Sequence, residues 1–305
     1  MKPGLLKHWH SIFRLLMIIL VIIVSTILFT AIFLLLSIPI IGFAEVASMM
    51  QGDISISTLK LFQIITSVSM FAIPPFIIAY LFSRHPIKWL RFGKIEVKYA
   101  IAAALIFIAI QPLVSLVGFY NINLKLPESL AHIEQWMASA EEAAKMTMFS
   151  LLDSNSFGGI LINIFMIAII PAVGEELLFR AALQPTFKRL FRNHHAAVWV
   201  TAIIFSAVHM QFFTFLPRLI LGVALGYTLV IGKRIWYPII GHFVNNFLSL
   251  VVFYVMRYIN PDENPLDSAV ERPDLWLVFA SLLLLAGLIG YFTNNLKWRR
   301  GYFSK

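Results

Sequence analysis

Three short stretches carry polar and ionisable side chains in surroundings that are otherwise almost wholly apolar. PAVGEELLFR, residues 171–180, closes the run GGILINIFMIAII with two adjacent glutamates and an arginine. A charged side chain at mid-membrane costs roughly 2.5–3.5 kcal/mol on insertion scales, so function or pairing must offset it. AIIFSAVHMQFF places Phe205 and His209 four residues apart, and IIGHFVNNFLSLV does the same for His242 and Asn246. On a helix that spacing keeps each pair on one face. Glu176 and Arg180 share a face in the same way, whereas Glu175 is turned away by about 100°. Arg180 is therefore placed to occupy Glu176 and leave Glu175 for chemistry. A glutamate with a histidine can activate water, and a histidine with an asparagine can donate to a developing oxyanion. Blander readings exist for each piece. Arg180 can snorkel to the interface with both acids beside it, and a lone intramembrane histidine commonly bonds helix to helix. Two histidines, an asparagine and two carboxylates together favour a site within the membrane.

The elements that must position these groups are membrane spans. Of 305 residues, 60% are hydrophobic and 13% charged, with 27 Phe and a mean hydropathy of +0.84. A soluble domain carries about 25% charge. Runs of about 20 apolar residues are needed to cross. The sequence predicts an all-α bundle of about eight transmembrane helices around an intramembrane cavity, near 13–42, 61–82, 99–119, 158–179, 197–216, 218–232, 236–256 and 275–293. The sixth, LILGVALGYTLVIG, is short and glycine-rich. Pro74, Pro75, Pro112 and Pro171 are expected to kink spans. The apolar run from Ile12 to about Phe43 exceeds the 7–15 residues of a signal-peptide core and reads as a retained span.

Charge orients the map. With the N-terminus inside, Lys2, Lys7 and Arg14, the group Arg84, Lys88, Arg91, Lys94 and Lys98, and Arg180, Lys188, Arg189 and Arg192 face the cytoplasm. Lys233 and Arg234, with Lys297, Arg299, Arg300 and Lys305, follow on the same side. Acids gather outside, at Glu128, Glu134, Glu141, Glu142 and Asp153, and at Asp262, Glu263, Asp267, Glu271 and Asp274. That asymmetry follows the positive-inside rule, with both termini cytoplasmic in a multi-pass plasma-membrane protein. The net charge of +9 is spread over inner turns without an aromatic-laced patch, which argues against nucleic acid as a partner. Membrane lipids and a hydrophobic or lipidated peptide are the expected partners. With Cys absent, disulfides and thiol chemistry are excluded, and no HExxH pattern occurs. His194 and His195 lie in a basic inner turn and are expected to be solvated. His8, His10, His85 and His132 stand in the N-terminal stretch or in loops. Residues 126–150 predict an amphipathic outer-loop helix, with Leu130, Ile133, Met137, Ala140, Ala144 and Met148 on its apolar face. Packing on the bundle top is favoured over a role as a lid.

Taken in order, Glu175-Glu176-x-x-x-Arg180, Phe205-x-x-x-His209 and His242-x-x-x-Asn246 resemble the CPBP family of CAAX prenyl endopeptidases and bacterial Abi or bacteriocin-processing proteins. The resemblance covers residues 158–256 as a catalytic core within a single membrane domain, 1–305. It implies an intramembrane endopeptidase acting on a membrane-associated, prenylated or hydrophobic substrate. Carried over, Glu175 is the general base and His209 its partner in polarising water. His242 and Asn246 stabilise the oxyanion, while Glu176 with Arg180, supported by Phe205, holds the site's shape. Glu175, His209 and His242 also offer a three-ligand set for a divalent metal such as zinc. Against that, no two of the histidines share a helix at i,i+4, and Asn246 is a poor zinc ligand but a good donor. Second-shell carboxylates to orient the imidazoles are also scarce. A metal-independent glutamate mechanism is preferred, with no other cofactor. The alternatives are a non-proteolytic scaffold or immunity protein of the same fold, and a proton-coupled transporter. The transporter would need paired halves with broken helices, and only one candidate half is visible.

Overall fold

The computed structural model describes residues 3–48, 55–154, 156–267 and 271–295. Lys2, Lys297, Arg299, Arg300 and Lys305 of the charge map lie outside the described residues. The main helices are α1 (Ser11–Ile41), α2 (Ile56–Phe82), α3 (Val97–Ile122), α4 (Ala131–Leu152), α5 (Phe157–Phe191), α6 (His194–Ala207), α7 (Phe215–Gly232), α8 (Trp236–Ile259) and α9 (Leu275–Asn295). Among the described residues there is no strand, and seven helices, all but α4 and α6, are long and apolar enough to cross a membrane. The protein is an all-α, multi-pass membrane protein. Side chains such as Ile19, Ile27 and Leu35 on α1 are exposed. Hydrocarbon accepts that surface, and the helical backbone satisfies its own polar groups.

Two expected spans come out differently. The segment near 197–216 is helical only over α6, 14 residues. At 1.5 Å per residue it reaches about 21 Å, short of a hydrocarbon core of about 30 Å. The glycine-rich segment near 218–232 instead starts at Phe215 and gains a full 18 residues.

The chain forms two compact units, residues 1–93 with 150–186, and residues 94–149 with 187–305. In the first, Ile18 of α1 and Ile78 and Ala79 of α2 are fully enclosed. The Arg14 guanidinium lies 4.9 Å from the centre of the Phe82 ring. The unit's helices widen locally from α to π geometry three times, over Val68–Ala72, Ile164–Ile169 and Glu176–Leu183. Each widened segment ends two residues before a proline: Pro74, Pro171 and Pro185. The cause is local. A proline inside a helix lacks an N–H and collides with the carbonyl four residues back, so the preceding turn opens to i→i+5 bonding. Ile73, Ile170 and Gln184 accordingly donate their N–H groups to Val68, Phe165 and Phe179, each five residues earlier. The widened part of α2 lies against α5 at Gly174, where a Cβ would come within 3.0 Å of Phe71 Cβ. Phe71 and Phe179 pack with ring centres 6.3 Å apart.

The second unit has its core where α3 meets α7, α8 and α9, around Ala103, Ile106, Phe107 and Leu225. Tyr99, Tyr237 and Phe292 meet edge to face, with centres 5.7–6.2 Å apart. That arrangement suits aromatic quadrupoles. Pro112 accompanies a break in α3 at Ile110 rather than a widened turn. The α3–α8 approach is tight: a Cβ on Gly241 would sit 2.3 Å from the Phe107 ring, so only glycine permits this crossing.

Candidate active site

In the first unit, α5 carries Glu175 at the end of its α-helical stretch, with Glu176 opening the π segment that also contains Arg180. Glu176 and Arg180 expose 0% of their surface and Glu175 only 7%. Arg180 Nη1 lies 3.1 Å from Glu176 Oε1, so the pairing expected from the spacing forms in full burial. The guanidinium also lies 5.9 Å from the Phe179 ring centre. Glu176 is committed to a buried ion pair whose geometry must be maintained, because deleting one partner of such a pair leaves a buried charge poorly compensated. Snorkelling of Arg180 into water is thereby ruled out.

In the second unit, His209 does not lie deep in a span. α6 ends at Ala207, and His209 stands in the turn beyond it, half-buried. Its Nδ1 is 2.8 Å from the Phe205 carbonyl. A carbonyl only accepts, so Nδ1 carries the proton and Nε2 of the neutral ring is the basic nitrogen. The same bond satisfies a carbonyl of the last helical turn, which the helix itself leaves unbonded. Met210 follows with φ 54°, a left-handed conformation that costs a non-glycine residue about 1–2 kcal/mol.

Several contacts hold the turn after His209. Asn121 Nδ2 donates to the Phe212 carbonyl at 3.1 Å, and the Leu216 N–H donates to Asn121 Oδ1 at 2.7 Å. Ser206 Oγ donates to the Phe215 carbonyl at 2.7 Å. From α4, Trp136 packs on Phe212 with ring centres 5.2 Å apart, and Glu141 accepts the Phe213 N–H at 3.4 Å. The predicted outer helix therefore exists and touches the turn that bears His209. Met137, Ala140, Ala144 and Met148 are half-buried as its spacing predicted, while Leu130 and Ile133 remain 37% exposed. Glu141 departs from the charge map: it is buried rather than solvated, because it serves as an acceptor for that turn.

Phe205 joins the two imidazoles. Its ring meets His209 at 5.2 Å and His242 at 5.9 Å, both edge to face. His242 is 6% exposed on α8, one residue past the Gly241–Phe107 approach. Asn246, one turn further on, accepts through Oδ1 from Asn245 Nδ2 at 3.1 Å. Asn245 Oδ1 accepts in turn from Gln111 Nε2 at 3.1 Å. Neither Gln111 nor Asn245 had been singled out from the sequence. A glutamine in the run IAIQPLV and the doubled asparagine of HFVNNF were the available signals.

Of the histidine pair 194–195, expected to be solvated, His195 is exposed and His194 is not. His194 is buried at the start of α6, while His195 Nδ1 sits 2.6 Å from Tyr227 Oη. The cause is capping: Asn193 Oδ1 accepts the His195 and Ala196 N–H groups, which fixes the first turn of α6 and turns His194 inward. Among the described residues no three His, Asp or Glu side chains gather as a metal-binding group.

Residues 157–248 match the family model of the Rce1-like type II CAAX prenyl endopeptidases. The matched region contains all three motifs, from Glu175 through Asn246, and supports a CPBP-family, CAAX-type membrane protease. No curated protein and no solved structure matches the chain.

Proposed function

Starting from the Rce1-like region at 157–248, we propose that the protein hydrolyses a peptide bond of a membrane-associated substrate, prenylated or simply hydrophobic, by a glutamate-activated water. Glu175 takes a proton from water as the water oxygen attacks the scissile carbonyl, and His209 Nε2 polarises the same water. The tetrahedral oxyanion is stabilised by His242 and by Asn246 Nδ2. As the C–N bond breaks, the proton held by Glu175 passes to the leaving amine, which restores the carboxylate. Glu176 and Arg180, bridged within the turn that Pro185 widens, hold the site's shape.

What supports this assignment is the burial of the neighbours on α5. Glu176 is bridged at 3.1 Å to Arg180 with both side chains fully enclosed, whereas Glu175 keeps 7% of its surface open to an approaching water. The site is proposed to work in the plasma membrane, with both chain termini cytoplasmic.

The test is cleavage of a farnesylated peptide ending in a CAAX sequence, and of a hydrophobic peptide pool, by detergent-purified protein. Glu175→Gln keeps the shape and removes the base, so hydrolysis should fall by about 10²–10⁴-fold with the melting temperature held. Full activity in that variant would reject the assignment.

A further inference from the structure

We propose that Gln111 and Asn245 are positioning residues that fix which end of the Asn246 amide faces the reaction. The inference rests on the hydrolase reading above and adds a polarity to it. An asparagine amide is nearly symmetric in shape, and only its nitrogen can donate to an oxyanion. What decides its orientation is the network, and here the network has a fixed end. Gln111 Nε2 is 2.8 Å from the Phe107 carbonyl, which can only accept. That bond makes the near atom of Gln111 the nitrogen, and its second N–H then donates to Asn245 Oδ1. With its oxygen used there, Asn245 turns its nitrogen to Asn246, whose oxygen receives it. Every amide in the relay therefore points the same way, and Asn246 is left with Nδ2 on the side away from Asn245. The order runs backbone carbonyl, glutamine, asparagine, asparagine, and each direction follows from the one before.

The backbone fixes the reach. Gln111 follows Phe107 by four residues across the break at Ile110 and bonds back to its carbonyl, and Gly241 and Asn245 are one helical turn apart on α8. The close Gly241–Phe107 approach thus brings the next turn of each helix, carrying Asn245 and Gln111, within amide range. All four residues belong to one compact unit. Gln111 and Asn245 do not touch the reacting atoms in this scheme; they act through Asn246.

Two substitutions at Gln111 separate polarity from packing. Gln111→Glu has nearly the same shape but, ionised, can only accept. Asn245 must then turn its nitrogen toward α3 and its oxygen toward Asn246, which in turn presents oxygen to the reaction. Gln111→Met keeps the bulk and imposes no direction. The readout is steady-state cleavage of the farnesylated CAAX peptide by purified protein. Gln111→Glu should lower kcat on the order of 10²-fold with KM little changed, approaching Asn246→Ala. Gln111→Met should cost less than about tenfold. In an Asn246→Ala background, Gln111→Glu should cost less than about threefold more, since the donor it misdirects is gone.

Asn245→Asp is a second reversal, for use if Gln111→Glu does not fold. Its carboxylate still accepts from Gln111 but can no longer donate to Asn246. Multiplying losses in the cycle, or equal losses for Glu and Met, would overturn the relay. Glu175→Gln and Asn246→Ala are run alongside. Activity retained in Glu175→Gln refutes the hydrolase assignment rather than the relay, whereas activity retained in Asn246→Ala overturns the relay, because the amide it orients is then not needed. If the wild type leaves the farnesylated peptide intact, the prenyl-peptide reading fails and melting decides the relay. Gln111→Glu must then melt below Gln111→Met, because it sets a carboxylate oxygen against the Phe107 carbonyl, which cannot turn to donate. The reverse order would reject the polarity.

Discussion

Glu176→Ala tests the buried ion pair and, through it, the division of labour between the two glutamates. The substitution removes the carboxylate 3.1 Å from a guanidinium with no solvent-exposed surface. Breaking a buried pair by deleting one partner typically costs about 3–5 kcal/mol, because the remaining charge keeps its desolvation penalty without the compensating attraction. Packing of the guanidinium against Phe179 softens that cost only slightly. At about 2–4 °C per kcal/mol, melting should fall on the order of 10 °C. Replacing both partners behaves differently. Glu176→Leu with Arg180→Leu removes both charges and keeps apolar volume, so the double variant should melt closer to wild type than either single change. The assay is thermal unfolding of detergent-purified protein, followed by tryptophan fluorescence. Glu175→Gln provides the contrast, with activity lost and melting retained. If Glu176→Ala melts within about 2 °C of wild type, the guanidinium is not confined as described. Glu176 then has no structural role that sets it apart from Glu175.

The remaining predictions address the widened helix, the topology, metal and pH. Pro185→Ala restores an N–H and removes a ring clash, so α5 should regain α geometry over 176–183. Melting should then hold or rise, and cleavage should fall by at least about tenfold; unchanged cleavage would show that the π geometry is incidental. Because the chain has no Cys, single-Cys variants need no background removal. Cys at Asp262 or Glu142 should react with an impermeant maleimide outside intact cells, and Cys at Lys94 or Lys233 should not; labelling at 94 breaks the map. Glu142 serves as the outer probe on this helix because its neighbour Glu141 is buried. Purified active protein should lack stoichiometric zinc and survive chelation. Loss on chelation with recovery on zinc addition would reassign Glu175, His209 and His242 as ligands. Finally, hydrogen bonds from Ser55 and Thr58 hold the Glu45 carboxyl below the usual glutamate range. That contribution is present above the unfolded value and lost as pH falls through the folded one. Protection of the 43–48 amides, corrected for intrinsic exchange at each pH, should therefore fall in acid, and protection that does not change with pH would contradict it.

Spacing made the buried pair legible, because i,i+4 places Glu176 beside Arg180 in any helix of roughly regular pitch. It did not show that this turn is widened, although Pro185 stood in the sequence as the reason. Proline was read as a kink, yet at three places in the first unit its effect is spread over the preceding turn. His209 was misplaced for a related reason. Apolar length alone ran the span on to residue 216, and nothing in hydropathy records that the chain leaves the helix after Ala207. The evidence for that exit lies in distant partners. Asn121 on α3 and Glu141 on α4 satisfy the backbone of the turn, and neither is near it in sequence.

The same distinction governs the polar residues of the second unit. His242 and Asn246 stood out as ionisable or amide groups at helical spacing on an apolar span. Gln111 and Asn245 looked like isolated polar residues until the α3–α8 crossing placed them together. Motif spacing therefore identifies groups that can do chemistry, while their orientation is set by residues brought in from other helices. Gly241 determines how closely α3 and α8 approach, and Phe107 supplies both the ring at that contact and the carbonyl that starts the relay. A Cβ at 241 would push the helices apart and lengthen the 3.1 Å bond between Gln111 and Asn245. Gly241→Ala should consequently impair cleavage through Asn246 even though it alters no polar group. Combining it with Asn246→Ala checks this: losses that fail to multiply place the glycine on the same path as the amide, and losses that multiply remove it from that path.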